Sequence, residues 1–255
     1  MAVNFTQWSQ LAEHDQDGYG IALWEIQNKD EAVKQLIAVV PSHFASQYET
    51  ILNRLGKPNA AAYLAAKLPT SKQIKSGDLG EIMATEYINN HTDFETPIKR
   101  LRWKDHRNMS MRGDDAIAVF FPEDMDSDIA FLKLEAKSAQ AMSQKTVNEA
   151  RKALDGYGGR PSPHSLTFVA DRLYEMGEDG KADQIILFQT QVDIKDNQVE
   201  HMLFTYSSNN PKAYLEADQS SCASGFYQNT VGVYANIHTD IIQNVFNSLG
   251  GDDET

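Results

Sequence analysis

Four charged residues, Asp114, Asp115, Glu135 and Lys137, have the types and spacing that best suit chemistry. The two aspartates come directly before an apolar run over residues 116–121, and a Glu-x-Lys triplet ends a second apolar run. Residues two apart on a strand share a face, so Glu135 and Lys137 are expected to point the same way. Acidic and basic groups are rarely buried without a partner or a task. Carboxylates that bind a divalent cation beside a lysine would suit the hydrolysis of a phosphodiester.

A hairpin must position these side chains. The pattern predicts strands over residues 116–121 and 129–136, joined by an acidic turn over residues 123–128. In a hairpin the start of one strand faces the end of the other, so Asp115 and Glu135 are expected to meet. Like charges placed so close repel unless a cation bridges them.

The helix before the hairpin, predicted over residues 78–90, supplies a further carboxylate. Glu81 shares one helical face with an alanine, a threonine and an isoleucine further along the same helix. Glu81 is therefore expected to lie on or beside the buried stripe. A second helix, predicted over residues 140–154, follows the hairpin.

The whole pattern predicts an α/β fold, mixed with α+β features, with a central sheet flanked by helices. Residues 1–70 are predicted to be a helical N-terminal region, residues 71–250 the main domain, and residues 251–255 a disordered tail. The other predicted elements are helices over Glu31–Leu55 (kinked or split at Pro41), Ala60–Lys67, His164–Met176 and Thr239–Leu249, a loop over Ser71–Gly77, a weak strand over Pro97–Trp103, an antiparallel pair over Gln184–Val192 and Val199–Tyr206, and a strand over Val231–Ile237.

The charge balance restricts the partners. The formal net charge of the 255 residues is −13, which taken alone argues against nucleic-acid binding. Basic residues nevertheless flank the acidic cluster in the chain, as a phosphate-binding rim would require. A solvated surface explains the same count equally well. The predicted nucleic-acid contacts are Lys99, Arg102, Lys104, Arg107 and Arg112.

Cysteine content and hydropathy bear on location. Cys222 is the only cysteine, which excludes an intrachain disulfide and fits a reducing compartment. No apolar run approaches the length of a bilayer span. We therefore expect a cytoplasmic protein without a membrane segment.

The order of these elements resembles the PD-(D/E)XK nuclease superfamily. The matching words are Gly80-Glu81, Gly113-Asp114-Asp115-Ala116-Ile117 and Leu134-Glu135-Ala136-Lys137. The proline of the superfamily name is missing before the aspartate. The resemblance implies that Asp115 and Glu135 bind Mg²⁺ (or Mn²⁺), with Asp114 as the second choice for the aspartate. It also implies that Lys137 orients the attacking water and that Glu81 supports the site, so that residues 71–250 form the nuclease domain.

More narrowly, the chain resembles the HamA nuclease subunits of Hachiman antiphage defence systems. The words that carry this are Ser76–Glu81, Arg112–Asp115 and Lys133–Ser138, together with the N-terminal region. The resemblance implies DNA as substrate and a superfamily 2 helicase (HamB-like) as the partner that gates the nuclease. The acidic residues 161–255 then form a plausible docking surface.

Two other functions stay open at this point. A non-catalytic adaptor with a nuclease-like fold would use the acidic C-terminal third to bind protein. A repair or restriction nuclease would have the same chemistry without a helicase. A Glu-x-Lys pair at a strand end is also common as a simple ion pair on the protein surface.

Overall fold

The strands of the computed structural model lie in one mixed sheet. The model describes residues 3–13, 20–122, 128–190, 195–222 and 225–250. Its strands are β1 (Ser9–Glu13), β2 (Ile21–Ile26), β3 (Ala116–Phe120), β4 (Ala130–Ala139), β5 (Val199–Ser207) and β6 (Tyr227–Tyr234). Within the described ranges they form one six-stranded sheet in the order β1-β2-β6-β5-β4-β3. The central strands β2, β6, β5 and β4 are parallel, and the edge strands β1 and β3 are antiparallel to their neighbours.

Helices cover both faces of the sheet. None of the helices that the structure describes is long and apolar enough to cross a membrane. The helices are α1 (Lys29–Phe44), α2 (Gln47–Arg54), α3 (Pro58–Lys67), α4 (Lys72–His91), α5 (Gln144–Leu154), α6 (Pro163–Glu175), α7 (Asp179–Thr190), α8 (Lys212–Ser221) and α9 (His238–Ser248).

Successive apolar side chains of β4 point to opposite faces of the sheet and are buried on both, as expected for a central strand. Leu132 and Leu134 point into the main cluster, which α1, α4 and α9 complete. Phe131 points the other way, into the cluster under α6 and α7. A third cluster lies under α5 and α8 and includes Leu203 of β5. The strand that carries Glu135 and Lys137 is therefore held from both sides.

Helix α4 crosses β4 at very short range. A Cβ atom added at Gly80 would lie 2.9 Å from the Cβ of Ser138, closer than such atoms are found in proteins. The hydroxyls of Ser76 and Ser138 are 2.8 Å apart at the same crossing. Glycine at position 80 therefore permits the close approach that brings Glu81 to the end of β4.

The structure confirms the mixed α/β fold and most of its predicted elements. The hairpin forms with Ala116 opposite Leu134, and the helices predicted after it are present as α5 and α6. The helix predicted from Glu31 ends one turn after Pro41, and α2 follows separately. The acidic turn over residues 123–128 falls almost wholly, and the tail over residues 251–255 wholly, outside the described residues.

The prediction of a helical N-terminal region is wrong for its first part. Residues Ser9–Glu13 and Ile21–Ile26 are strands, and β2 pairs with β6 in the central sheet. The two strands are short, and the pairing of β2 is with a strand far along the chain, so no local pattern indicated it. Among the residues that the structure describes, residues 1–70 are therefore α-helical only from α1 onward, with one 3-10 turn, Phe5–Gln7, before β1.

Three other predicted elements are wrong. The strand predicted over Gln184–Val192 is helix α7, and β5 is parallel to both of its neighbours instead of pairing with that segment. The weak strand over Pro97–Trp103 contains a 3-10 helix, Arg100–Trp103. The loop predicted over Ser71–Gly77 is the first part of α4, which begins at Lys72.

Candidate active site

A cavity of about 220 Å³ opens where α4 crosses the start of β3 and the end of β4. Glu81, Asp115 and Lys137 line it, so the fold brings these three predicted residues together. Asp78 and Arg100 also line the cavity, which therefore holds acidic and basic groups in a partly enclosed space.

Asp115 lies at the centre of the charged groups. One of its carboxylate oxygens accepts a hydrogen bond of 2.9 Å from the backbone N–H of Ala136, which fixes the side chain against β4. Burial raises the pKa of Asp115, although this hydrogen bond and the charge of Arg100 oppose the shift. Asp115 in turn contributes to raised pKa values at Glu81 and Glu135. The charge of Asp115 therefore acts on both of these carboxyl groups, as expected for like charges that lie near one another.

Glu135 and Lys137 form an ion pair with 2.5 Å between Oε1 and Nζ. Glu135 is 8% exposed and is not among the residues that line the cavity, whereas Lys137 is. Burial, followed by the charge of Asp115, raises the pKa of Glu135 to about 7 against the opposing effect of Lys137. Burial disfavours the Lys137 ammonium, but the partner carboxylate outweighs it and raises the pKa of Lys137.

Arg100 is a residue of this site that sequence reasoning missed. Its Nε lies 3.4 Å from Oε1 of Glu81, yet Nε has no hydrogen-bond partner among the described residues. Burial raises the pKa of Glu81 well above its usual value, and Arg100 opposes that shift. A buried guanidinium with an unused donor, next to carboxylates, is suited to contact an anion. The only sequence signal was its place in the basic segment.

Asp114 does not line this cavity, and its contacts are with other parts of the protein. One carboxylate oxygen accepts a 2.8 Å hydrogen bond from the backbone N–H of Ser162, the N-cap of α6, and the other lies 3.4 Å from Nζ of Lys133. The backbone N–H of Asp114 donates to Oγ of Ser165. Asp114 thus joins the start of β3 to the start of α6, and Asp115 remains the aspartate that faces the cavity.

The predicted basic rim separates into two groups. Three of its members bind within the protein: Lys99 to Glu86 and Ser42, Arg102 to the carbonyl of Ser42, and Lys104 to Asp78. Arg107 is half-buried and Arg112 exposed. Of the five predicted phosphate contacts, only these last two have side chains that are not bound to other elements in the described structure.

The side chains that could bind a metal ion are the carboxylates at the end of the hairpin. Among the described residues no three His, Cys, Asp or Glu side chains are grouped closely enough to hold a metal. Asp115 directly precedes Ala116, which pairs with Leu134, so Asp115 and Glu135 stand at facing positions of the hairpin, and the charge of Asp115 contributes to the raised pKa of Glu135. Mg²⁺ binds hard oxygen atoms and is often held by one or two carboxylates with waters and substrate phosphates completing its shell. The donor set therefore fits Mg²⁺ or Mn²⁺ bound by two side chains, and it does not fit a three-carboxylate cage.

The fold and the cavity define a mixed α/β protein with a carboxylate and lysine site at the open edge of its sheet. A family model described as HamA matches residues 4–249, and the chain belongs to that family. The chain is also 26% identical over 213 residues to the "Hachiman protein HamA" of Bacillus cereus. That alignment covers 81% of this chain and 75% of the relative. Family membership confirms the narrower of the two resemblances noted in the sequence.

Proposed function

We propose that the chain is a metal-dependent deoxyribonuclease of the PD-(D/E)XK type that acts in antiphage defence. One observation carries the proposal: Asp115 lies against β4 and shares its electrostatic environment with Glu81, Glu135 and Lys137. Membership of the HamA family supports the defence role. The chemistry would be hydrolysis of a phosphodiester bond.

Each side chain has a distinct task in this reaction. Asp115 and Glu135 would hold Mg²⁺ or Mn²⁺, which supplies Lewis acidity and a more acidic bound water. Lys137 would donate to the attacking water and to the phosphoryl oxygens, and its ion pair with Glu135 keeps it protonated and in place. Arg100 would neutralise charge on the phosphate, and Glu81 orients Arg100. Asp114 would keep the start of β3 in position.

We further propose that a superfamily 2 helicase delivers the DNA and controls the nuclease. The support for this part is the resemblance to Hachiman systems described above, which implies such a partner; the relative itself is named only as a Hachiman protein. A pull-down from cells, with the neighbouring gene product as the expected partner, tests this part separately.

The central experiment measures DNA hydrolysis with Mg²⁺ or Mn²⁺ by the chain alone and with its helicase. Glu135→Gln and Lys137→Met remove one charge each with little change in size. Glu216→Gln and Lys212→Met are the matched controls, because the Glu216–Lys212 pair is exposed on α8. We expect the site variants to lose at least about a hundredfold in rate, the scale for removing one preorganised electrostatic group, and the controls to keep full activity. Cleavage at the wild-type rate by both site variants would refute the assignment.

A non-catalytic adaptor is the second candidate. The observation that favours it is the missing third metal-binding side chain among the described residues. An adaptor predicts that the Glu135→Gln protein binds its partner and protects cells from phage as well as the wild type does. A nuclease predicts that binding survives but protection is lost. A repair or restriction nuclease without a helicase predicts no helicase gene beside this one.

A further inference from the structure

A basic groove lies beside the cavity that holds Asp115 and Lys137. Its volume is about 330 Å³, and it runs between the end of α3 and the segment over residues 104–107. Leu101 lines both spaces. Asp78 lines the cavity and binds Lys104, which lines the groove, so this ion pair forms the wall between them.

The charge that the groove offers to a ligand comes from two side chains. Both carboxylate oxygens of Asp78 accept from Nζ of Lys104, at 2.9 and 2.7 Å, which uses that ammonium. Lys67 and Arg107 have no carboxylate partner in the part of the chain that the structure describes. Only Asp105 among the groove residues is acidic. The groove is therefore positive although the protein carries a net charge of −13.

His106 adds a ring N–H donor to the same groove. Its Nδ1 accepts a 3.2 Å hydrogen bond from the backbone N–H of Asn108. In a neutral imidazole the acceptor nitrogen carries no proton, so the ring proton is assigned to Nε2. The exposed His106 ring thus presents an N–H to the groove.

The groove is held in shape by Asn108. The Asn108 Oδ1 accepts from the backbone N–H groups of Thr70 at 2.9 Å and Ser71 at 3.1 Å, just before α4 begins. The Asn108 Nδ2 donates to the hydroxyl of Thr70. On the other side, Nζ of Lys67 lies 5.6 Å from the ring centroid of Tyr63. Asn108 therefore holds one side of the groove against the residues before α4, which reduces the ordering that binding requires on that side.

We propose that this groove binds the phosphate backbone of DNA next to the scissile phosphate. Lys67 and Arg107 pair with phosphate oxygens, and His106 donates a hydrogen bond to one. The proposal rests on the proposed nuclease function for its choice of DNA. It adds Lys67 and His106 to the binding surface, and it replaces Lys99, Arg102 and Lys104, which are bound within the protein.

The test measures binding by fluorescence anisotropy of a labelled 20-nucleotide DNA, as single strand and as duplex, in EDTA. The chain carrying Lys67→Gln and Arg107→Gln is compared with wild type and with a control that carries Lys34→Gln and Lys195→Gln. Both control lysines are exposed and lie outside the groove. Losing two phosphate contacts removes about two units from the slope of log K against log salt, and weakens binding on the order of tens-fold at 0.1 M salt.

The outcomes separate the groove from the catalytic proposal. Weaker binding and a shallower salt slope in the groove variant, with the control unchanged, support the groove even if no protein cleaves DNA. Equal binding by the groove variant and wild type overturns it, even if wild type cleaves DNA and Glu135→Gln does not. Failure of wild type to bind either DNA in EDTA also overturns it. Circular dichroism confirms that each variant is folded.

Discussion

Two glycines on one helix allow a controlled test of the contact that builds the site. Gly77 and Gly80 both lie in α4, but a Cβ atom at Gly77 would meet nothing within 4 Å, whereas one at Gly80 would lie 2.9 Å from the Cβ of Ser138. Replacing glycine by alanine inside a helix stabilises it by about 1 kcal/mol. Overpacking at a tight contact costs about 1–3 kcal/mol.

Both variants gain the same helix propensity, so the difference between their stabilities reports the contact of residue 80 with Ser138. We expect Gly77→Ala to raise the free energy of unfolding by about 1 kcal/mol. We expect Gly80→Ala to lie below Gly77→Ala by about 1–3 kcal/mol, because α4 must shift away from β4. The same shift would carry Glu81 away from Asp115, so nuclease activity should fall in Gly80→Ala.

The assay is urea denaturation followed by circular dichroism at pH 7. The slope of the unfolding free energy against urea concentration is compared among wild type, Gly77→Ala and Gly80→Ala. An unchanged slope licenses reading the midpoint shift as a change in stability. If Gly80→Ala were as stable as Gly77→Ala, the close crossing of α4 over β4 would not exist in solution. The argument that glycine 80 positions the site would then fail.

Three further predictions concern other parts of the molecule. Burial lowers the pKa of His43 to about 4 from 6.5, although Glu86, 2.8 Å from its Nε2, opposes the shift. Stability should therefore be full above pH 6.5 and fall by at most about 3 kcal/mol as pH is lowered to 4, which urea titrations of wild type and His43→Gln would measure. Lys133→Met should cost about 3–5 kcal/mol because it leaves the Asp114 charge without its cation and three backbone carbonyls without their donor; a double variant with Asp114→Asn that recovers nothing would contradict the pairing. Tyr157 has φ of 58°, so Tyr157→Gly should stabilise by about 0.5–1 kcal/mol in thermal unfolding, and a loss would mean that the ring makes stabilising contacts.

The hairpin could be predicted because its information is local. The apolar runs and the charged residues at their ends lie within about two dozen positions, and strand alternation places Asp115 opposite Glu135 without any distant contact. The chain order of Glu81, Asp115, Glu135 and Lys137 also lies within a single supersecondary unit. That Glu81, Asp115 and Lys137 come together at one cavity was therefore accessible to sequence reasoning.

The errors arose where the deciding contacts are distant. The segment around Ile185 and Phe188 is apolar enough for a strand, but it forms α7, whose buried side packs with α6 while Leu187 is 62% exposed. Lys99 and Lys104 looked available for phosphate because their partners, Glu86 and Asp78, lie on another element. Such pairings are set by tertiary packing, and no spacing along the chain reveals them.

The pairing of β2 with β6 has a consequence for how the protein is made. Ile21 of β2 lies beside Thr230 of β6, so β2 cannot join the other parallel strands until β6 has been synthesised much later. Until β6 is made, the backbone edges of β2 and β5 that pair with it stay exposed. Partly folded chains with exposed strand edges aggregate readily. Parallel pairing across so long a separation is also slow to form. Completion of the sheet would thus come only after nearly the whole described chain has been synthesised.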